Sequence, residues 1–435
     1  MSILHYAYLY AVPALLLIAW HVRRRYRRQR VLAEMLAEAE LAGLNEPPSL
    51  HPVVDMTRCF GSGACVRACP EAALGVVNGK ATLVNAAHCI GHGACFHACP
   101  VQAITLVFGT QKRGIDIPHI SQDFETNVPG IYIAGELGGM GLIRKTAEQG
   151  RQAMNAIRKR GGNHNAPLDV IIIGAGPAGI SAGLSAIFHK QRYLIIEQED
   201  SLGGSVYHYP RNKIAMTSAV KLDLIGKIKL GTEVQKEKLL AFWHDVVGKT
   251  GLKFNFNERF EGLDKRDDGT FSVRTTKGEY HCRSVLLALG RRGSPRKLEV
   301  PGEEQAKVVY RLVDPEQYRG MAVIVVGGGD SALEAAIALA EEPDTDVILS
   351  YRSNAFARVK EKNRVRLKEI EAEGKLRVML SSTIKRIDTS TVEMESGGQI
   401  QTVKNDIVIV CAGGVLPTPL LRSIGILFET KFGKV

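Results

Sequence analysis

At 435 residues the chain has room for two or three domains that each bury a core, and 44 glycines supply its turns. Eight cysteines, six of them between residues 59 and 99, are too few and too clustered for a disulfide scaffold; they point to metal binding in a reducing compartment. The net charge of +11 does not call for nucleic acid, because "RRRYRRQR" at 23–30 alone carries six arginines, directly after an apolar run.

That run, "ILHYAYLYAVPALLLIAW" at 3–20, predicts a transmembrane helix. Its length as a helix is about 27 Å, against a hydrocarbon core of roughly 30 Å. Tyr6, Tyr8, Tyr10, Trp20 and Tyr26 suit the two interfaces, and Pro13 is tolerable in a membrane helix. A secretory signal would carry its positive charges before the apolar segment; here they follow it. The positive-inside rule then makes this a single-pass protein of the inner, cytoplasmic membrane, with its catalytic domains in the cytoplasm. A soluble chain with a greasy first helix is the competing reading, and the arginine block weighs against it. Residues 1–22 are thus the expected anchor, and 23–50 a basic juxtamembrane helix, "VLAEMLAEAELAGL" at 31–44, with the linker "NEPPSLHP" running on to 52.

Residues 51–110 are an internal duplication: Cys59, Ser62, Cys65 and Cys69 recur as Cys89, His92, Cys95 and Cys99. The block resembles two-cluster bacterial ferredoxins, whose runs read C-x2-C-x2-C-x3-C-P, except that the second cysteine is missing from both. The resemblance implies a small α+β ferredoxin-like domain with two iron–sulfur clusters. One would use Cys59, Cys65 and Cys99, and the other Cys89, Cys95 and Cys69, because each cluster takes its last ligand from the other run. Three outcomes fit each gap: Ser62 or His92 binds iron, the site holds a 3Fe-4S rather than a 4Fe-4S cluster, or an outside ligand completes it. Imidazole suits iron better than a serine hydroxyl does.

Residues 111–160 hold "TNVPGIYIAGELGG" (126–139) and a helix-like run, followed by the linker "RGGNHNAPL" (160–168). From 169 onward strands and helices alternate in two strand–glycine turn–helix units, which predicts an α/β fold with two Rossmann-like dinucleotide-binding domains and parallel sheets. In the first, "DVIIIGAGPAGISAGLSA", Gly174 makes the turn, Gly176 lets backbone approach a pyrophosphate and Gly179 lets helix and strand pack; Pro177 and Ala178 open the helix. Glu197 ends the second strand, where a carboxylate binds ribose hydroxyls. In the second unit Gly327, Gly329 and Ala332 take the glycine positions, with Asp330 and Ser331 at the helix start. Its second strand ends in Arg352, with Arg358 and Lys360 nearby, so a 2′-phosphate and NADPH are favoured, with NADH the alternative.

Two such units in this order, with "LLALGRRGSPRKLEVPGE" at 286–303, "LGG" at 202–204 and "VCAGGVLPTPLL" at 410–421, resemble the thioredoxin-reductase-like flavoprotein family. The resemblance implies an FAD domain at 167–300, an NAD(P)H domain at 301–412 and a return to the FAD domain at 413–435. It adds Gly203, Gly204 and Gly290 to the flavin site. The family's second flavin motif, of the form T-x-x-P-G-[IV]-[FY]-A-x-G-D, normally comes near the C-terminus. Here it stands at 126–139, before the first glycine turn, with Gly135 and with Glu136 in place of the aspartate. That implies a circular permutation, in which 111–160 completes the FAD domain. The redox C-x-x-C of thioredoxin reductases is absent; Cys282 and Cys411 are solitary.

The expected function is a membrane-anchored oxidoreductase passing electrons from NAD(P)H through FAD to the clusters, and on to a redox protein or quinone-linked carrier at the membrane, in either direction. A thiol or disulfide reductase of the same flavin family is one alternative, and a non-catalytic relay or assembly subunit is another. The resemblance also suggests a homodimer.

Overall fold

The computed structural model describes residues 3–41, 47, 50–111, 114–139, 141–160, 166–209, 211, 213–217, 219–231, 233–291, 293–356 and 359–433. Both expected linkers fall partly outside this set, as does Arg358. Two compact units emerge, one of 1–115 with 431–435 and one of 116–430.

In the first unit the expected anchor and juxtamembrane helices are one continuous helix, α1 (Ile3–Leu41), with Pro13 inside it. The arginine run does not interrupt it because arginine is a good helix former. The described side chains from Val12 to Val22 are exposed, among them Leu15, Leu16, Leu17, Ile18 and Trp20; Tyr6, Tyr8 and Tyr10 lie outside the described side chains. Among the described residues, no helix is long and apolar enough to cross a membrane. The cysteine block folds as two copies of one design. The strands His51–Val54 and Ile104–Val107 pair antiparallel, as do Leu74–Val77 and Lys80–Leu83. Two five-residue helices, α2 (Ala64–Ala68) and α3 (Ala94–Ala98), carry Cys65 and Cys95. Leu74, Ala81, Ala103 and Ile104 pack with the cysteines into a small core.

The second unit holds two α/β layers. In one, the parallel strands Tyr193–Ile196, Leu168–Ile173, Gly278–Leu287 and Ile131–Ile133 lie side by side. The N-terminal half of Gly278–Leu287 pairs antiparallel with Phe271–Thr275. Val170 to Ile173 are at most 2% exposed, the mark of a strand covered on both faces, which is why the run reads as continuously apolar. One face packs on α4 (Ile143–Lys159) and α5 (Pro177–Phe188), with Ala153, Met154, Ile180 and Leu184 fully buried. The segment 116–160 therefore supplies both a strand and a helix to a layer whose remaining parts come after it in the sequence. The strand Phe428–Lys431 pairs with Ile115–Pro118. His119 N–H donates to the Leu427 carbonyl at 2.9 Å and Thr430 Oγ1 to Asp116 at 2.7 Å, so the two strands run antiparallel.

The other layer is a five-stranded parallel sheet in the order Val308–Val309, Ile407–Val410, Ala322–Val326, Asp346–Tyr351, Leu376–Leu380. The helices α6 (Asp330–Ala340) and α7 (Glu361–Ala372) cover one face, burying Leu333, Leu339, Leu367 and Ile370.

Candidate functional site

The first glycine turn is built by contacts that exclude side chains. Gly174 has φ +114°, and a Cβ there would lie 2.7 Å from the Ala288 carbonyl oxygen. A Cβ on Gly179 would lie 1.8 Å from the Gly174 carbonyl oxygen, so the first turn of α5 rests directly on the loop. Gly176 caps α5 and Pro177 is its first residue, which leaves the helix N-terminus and its partial positive charge facing the turn. Ala178 is buried against α4, where Gly150 allows an approach that a Cβ would bring to 2.1 Å of the Ala178 carbonyl oxygen.

Around this turn the other expected flavin residues converge. Gly204 lies against Gly176, its missing Cβ 3.0 Å from the Gly176 Cα. Gly203 precedes it, and its N–H donates to the Ala175 carbonyl at 2.9 Å. Gly290 stands 3.7 Å, measured from an added Cβ, from Glu136 Oε2. Gly135 N–H donates to Gln149 Oε1 at 2.9 Å. Glu197 is 7% exposed and accepts the N–H groups of Ala175 at 2.7 Å and Glu199 at 3.1 Å. Burial pushes its carboxyl up, against those two N–H bonds, which favour the charged form. Each oxygen keeps a lone pair for a ribose hydroxyl, and the glycine turn with the α5 N-terminus suits a pyrophosphate, so this set fits the ADP half of FAD. Arg291 was not anticipated; burial holds its guanidinium below the usual range, with Glu136 and Asp116 opposing. Its clue, "GRR" after the strand, does not distinguish it from a solvated loop.

At the second turn Gly327 has φ +149°, and its missing Cβ would meet the Cys411 carbonyl oxygen at 2.4 Å. Ala332 is buried beneath it, while Gly329 and Ser331 are exposed at the start of α6. Arg352 is exposed, following Tyr351, whose ring lies over Gly328 and stacks on Phe356. Asp330 Oδ1 accepts Lys360 N–H at 2.9 Å and Asn363 Nδ2 at 2.7 Å. Open glycine backbone at a helix start, beside a loop that carries the exposed Arg352, fits an NADPH pyrophosphate and 2′-phosphate. Cys282 is fully buried in the strand Gly278–Leu287, its thiol pushed up to about 12 by burial, and Cys411 directly follows the interior strand Ile407–Val410 of the other sheet. The two do not form a dithiol pair.

The cysteine block contains two hollows. The first is lined by Cys59, Cys65 and Cys99 together with Ser62; the second by Cys89, Cys95 and Cys69 together with His92. Each hollow thus takes two cysteines from one run and one from the other, because α2 and α3 pack together. Sulfur–sulfur proximity is visible in the thiols. Burial and then the neighbouring Cys59 and Cys99 push Cys65 up; burial and then Cys89, Cys69 and Cys65 push Cys95 up to about 11. Ala81 N–H donates to Cys59 Sγ at 3.4 Å, and Ala103 N–H to Cys99 Sγ at 3.2 Å, the backbone support a thiolate ligand needs. Among the described residues, no three such side chains converge on a single ion. A polynuclear cluster spreads its thiolates over several irons, and its positive core relieves their mutual repulsion, so the sulfur set fits iron–sulfur clusters.

Comparisons with known proteins agree with this arrangement. Residues 171–432 match the family described as pyridine nucleotide-disulphide oxidoreductase, and residues 51–100 match the 4Fe-4S dicluster domain. The chain is 28% identical over 271 residues to the bacilliredoxin reductase Bdr of Bacillus subtilis, covering 61% of this chain and 82% of that protein. It is 35% identical over 198 residues to ferredoxin–NADP reductase 2 of Christiangramia forsetii, covering 43% of this chain and 51% of that one. Among solved structures, the bacillithiol disulfide reductase Bdr (YpdA) from Staphylococcus aureus matches with a TM-score of 0.52 and 26% identity, over 61% of this chain and 84% of its own.

Proposed function

Given that the chain belongs to the pyridine nucleotide-disulphide oxidoreductase family, we propose that it carries electrons from NADPH, by way of bound FAD and two iron–sulfur clusters, to a redox partner at a membrane. The family match and the ferredoxin–NADP reductase relatives support an NADPH- and FAD-dependent oxidoreductase, and the separate match of residues 51–100 supports its 4Fe-4S domain. When bound, FAD supplies the conversion of a hydride's electron pair into single electrons. The chain's own residues position the cofactors. Glu197 fixes a ribose, and Gly174, Gly176 and the α5 N-terminus hold a pyrophosphate. Gly135, Glu136 and Gly290 border the same turn. Gly327, Gly329 and the α6 N-terminus receive the second dinucleotide, with Arg352 on its 2′-phosphate.

The observation that carries this reading is the pair of cysteine hollows, each assembled from both runs, in a chain whose two nucleotide-binding sheets share no dithiol. Electrons leaving the flavin have clusters to enter and no cysteine pair. Anchoring by the apolar start of α1, with the arginines on the cytoplasmic side, belongs to the same proposal; it is supported by the sequence of residues 3–30. The test is anaerobic purification of the full chain with flavin, iron and sulfide counted, followed by stopped-flow mixing with NADPH. Flavin bleaching should precede the appearance of reduced-cluster signals in electron paramagnetic resonance. A colourless protein would end the proposal. Carbonate extraction of membranes tests the anchor separately: release of the chain at high pH removes it.

A second reading follows from the names of two relatives, a bacilliredoxin reductase and a bacillithiol disulfide reductase: the chain reduces a disulfide substrate. NADPH turnover driven by a low-molecular-weight disulfide, undiminished in a Cys59→Ala, Cys89→Ala variant, favours it over cluster transfer.

A further inference from the structure

The two hollows differ where the fourth cysteine is missing. Ser62 is exposed, with its Oγ near the Ala64 N–H at 3.4 Å. Phe60 and Val101, 62% and 38% exposed, line the same hollow and make its rim apolar. Arg67 reaches back to the Ser62 carbonyl, Nη1 to O at 3.4 Å, and sets a cation beside the gap. In the second hollow His92 is half-buried among Leu74, Leu83 and Leu106. The duplication makes the comparison position by position. The residue equivalent to Val101 is Glu71, which lines the His92 hollow; the residue equivalent to Arg67 is His97. One hollow therefore presents a carboxylate that repels anions, and the other an arginine that attracts them.

We propose that His92 closes its own cluster site, whereas Ser62 leaves a coordination position open to a small thiolate from solution, drawn by Arg67 and seated against Phe60 and Val101. This rests on the reading that the hollows hold clusters. Thiolate is the ligand class because cluster iron prefers soft sulfur donors, and a serine hydroxyl must ionise to compete. Binding is coordination alone: a sulfur–iron bond forms, the thiol proton passes to water, and no electron moves.

The test uses the full chain purified anaerobically, with iron and sulfide counted first, reduced, and titrated with 2-mercaptoethanol under electron paramagnetic resonance. One of two cluster signals should shift saturably and the other stay fixed. Ser62→Cys should abolish the shift without loss of iron, and His92→Ala should make the second signal respond as well. Loaded clusters with no shift, a shift that survives in Ser62→Cys, or a three-iron signal that ferrous iron does not rebuild would each overturn this proposal alone. A chain lacking iron and sulfide overturns the cluster reading beneath it, and this proposal with it.

Discussion

Asp330 lies inside the second glycine turn, yet its Oδ1 accepts the backbone N–H of Lys360 at 2.9 Å, thirty residues away. With Asn363 it ties the loop after Tyr351, which carries Arg352, to the start of α6. Through this oxygen the aspartate holds the basic loop in place.

Asp330→Ala should therefore weaken NADPH binding without disturbing flavin. Losing two hydrogen bonds at about 1 kcal/mol each corresponds to a rise of up to about thirtyfold in KM for NADPH. Steady-state kinetics with flavin content measured in parallel checks this; equal losses of both would show a global effect.

Glu197→Gln should release flavin. A glutamine offers one acceptor oxygen and one donor NH2 where Ala175 and Glu199 both present N–H groups, so one donor is left facing another. Such a buried mismatch costs about 1–3 kcal/mol. Flavin per chain after gel filtration should fall, while iron and sulfide stay unchanged.

Cys99→Ala tests the crossing of ligands between runs. Although Cys99 belongs to the second run, it lines the hollow of Cys59 and Cys65. Its loss should remove the cluster of that hollow, lowering iron and sulfide by about half, and leave the thiol-insensitive resonance signal. Loss of that signal instead would reverse the assignment.

Gly150→Val should unsettle the flavin layer, because its Cβ would enter the backbone of α5 at Ala178. Overpacking of this kind costs about 1–3 kcal/mol or more. The midpoint of urea unfolding, followed by flavin fluorescence, should drop; an unchanged midpoint would mean the two helices can separate freely.

The pair Asp169–Arg192 sets a pH dependence. Burial pushes the Asp169 carboxyl up, but bonds from Arg192 N at 2.8 Å and Nη2 at 2.9 Å outweigh it and hold the carboxyl below its ordinary range. A carboxyl depressed by folding adds stability above its unfolded pKa, and that stability is lost as pH falls through the folded value. Arg192 is half exposed, so Asp169→Asn should cost about 1 kcal/mol or less at neutral pH. The gap in melting temperature should begin to narrow below about pH 4 and close as pH falls through the lower folded value.

Much of this architecture was legible from local pattern. Strands covered on both faces announce themselves as unbroken apolar runs, and the glycine turns and cysteine spacings require fixed offsets, so both nucleotide units and the duplicated block could be read directly. What depended on tertiary contact could not. Asp330 sits where a phosphate-facing residue is expected, and only the fold reveals Lys360 beside it. The arginine run marks a charge boundary without marking a helix end, so one long α1 was read as two helices. Glu71 and Val101 hold equivalent places in the duplication, but only the hollows show that each lines a site.

The antiparallel pair Ile115–Pro118 and Phe428–Lys431 has a bearing on how such a chain can change over time. The two strands come from either side of the nucleotide-binding part of the sequence, Ile115–Pro118 before its first glycine turn and Phe428–Lys431 after its second. They form a two-stranded sheet of their own, apart from the six-stranded sheet of the flavin layer. A change that alters the pairing edge of one strand must be matched in the other, so two stretches far apart in the sequence are bound to vary together.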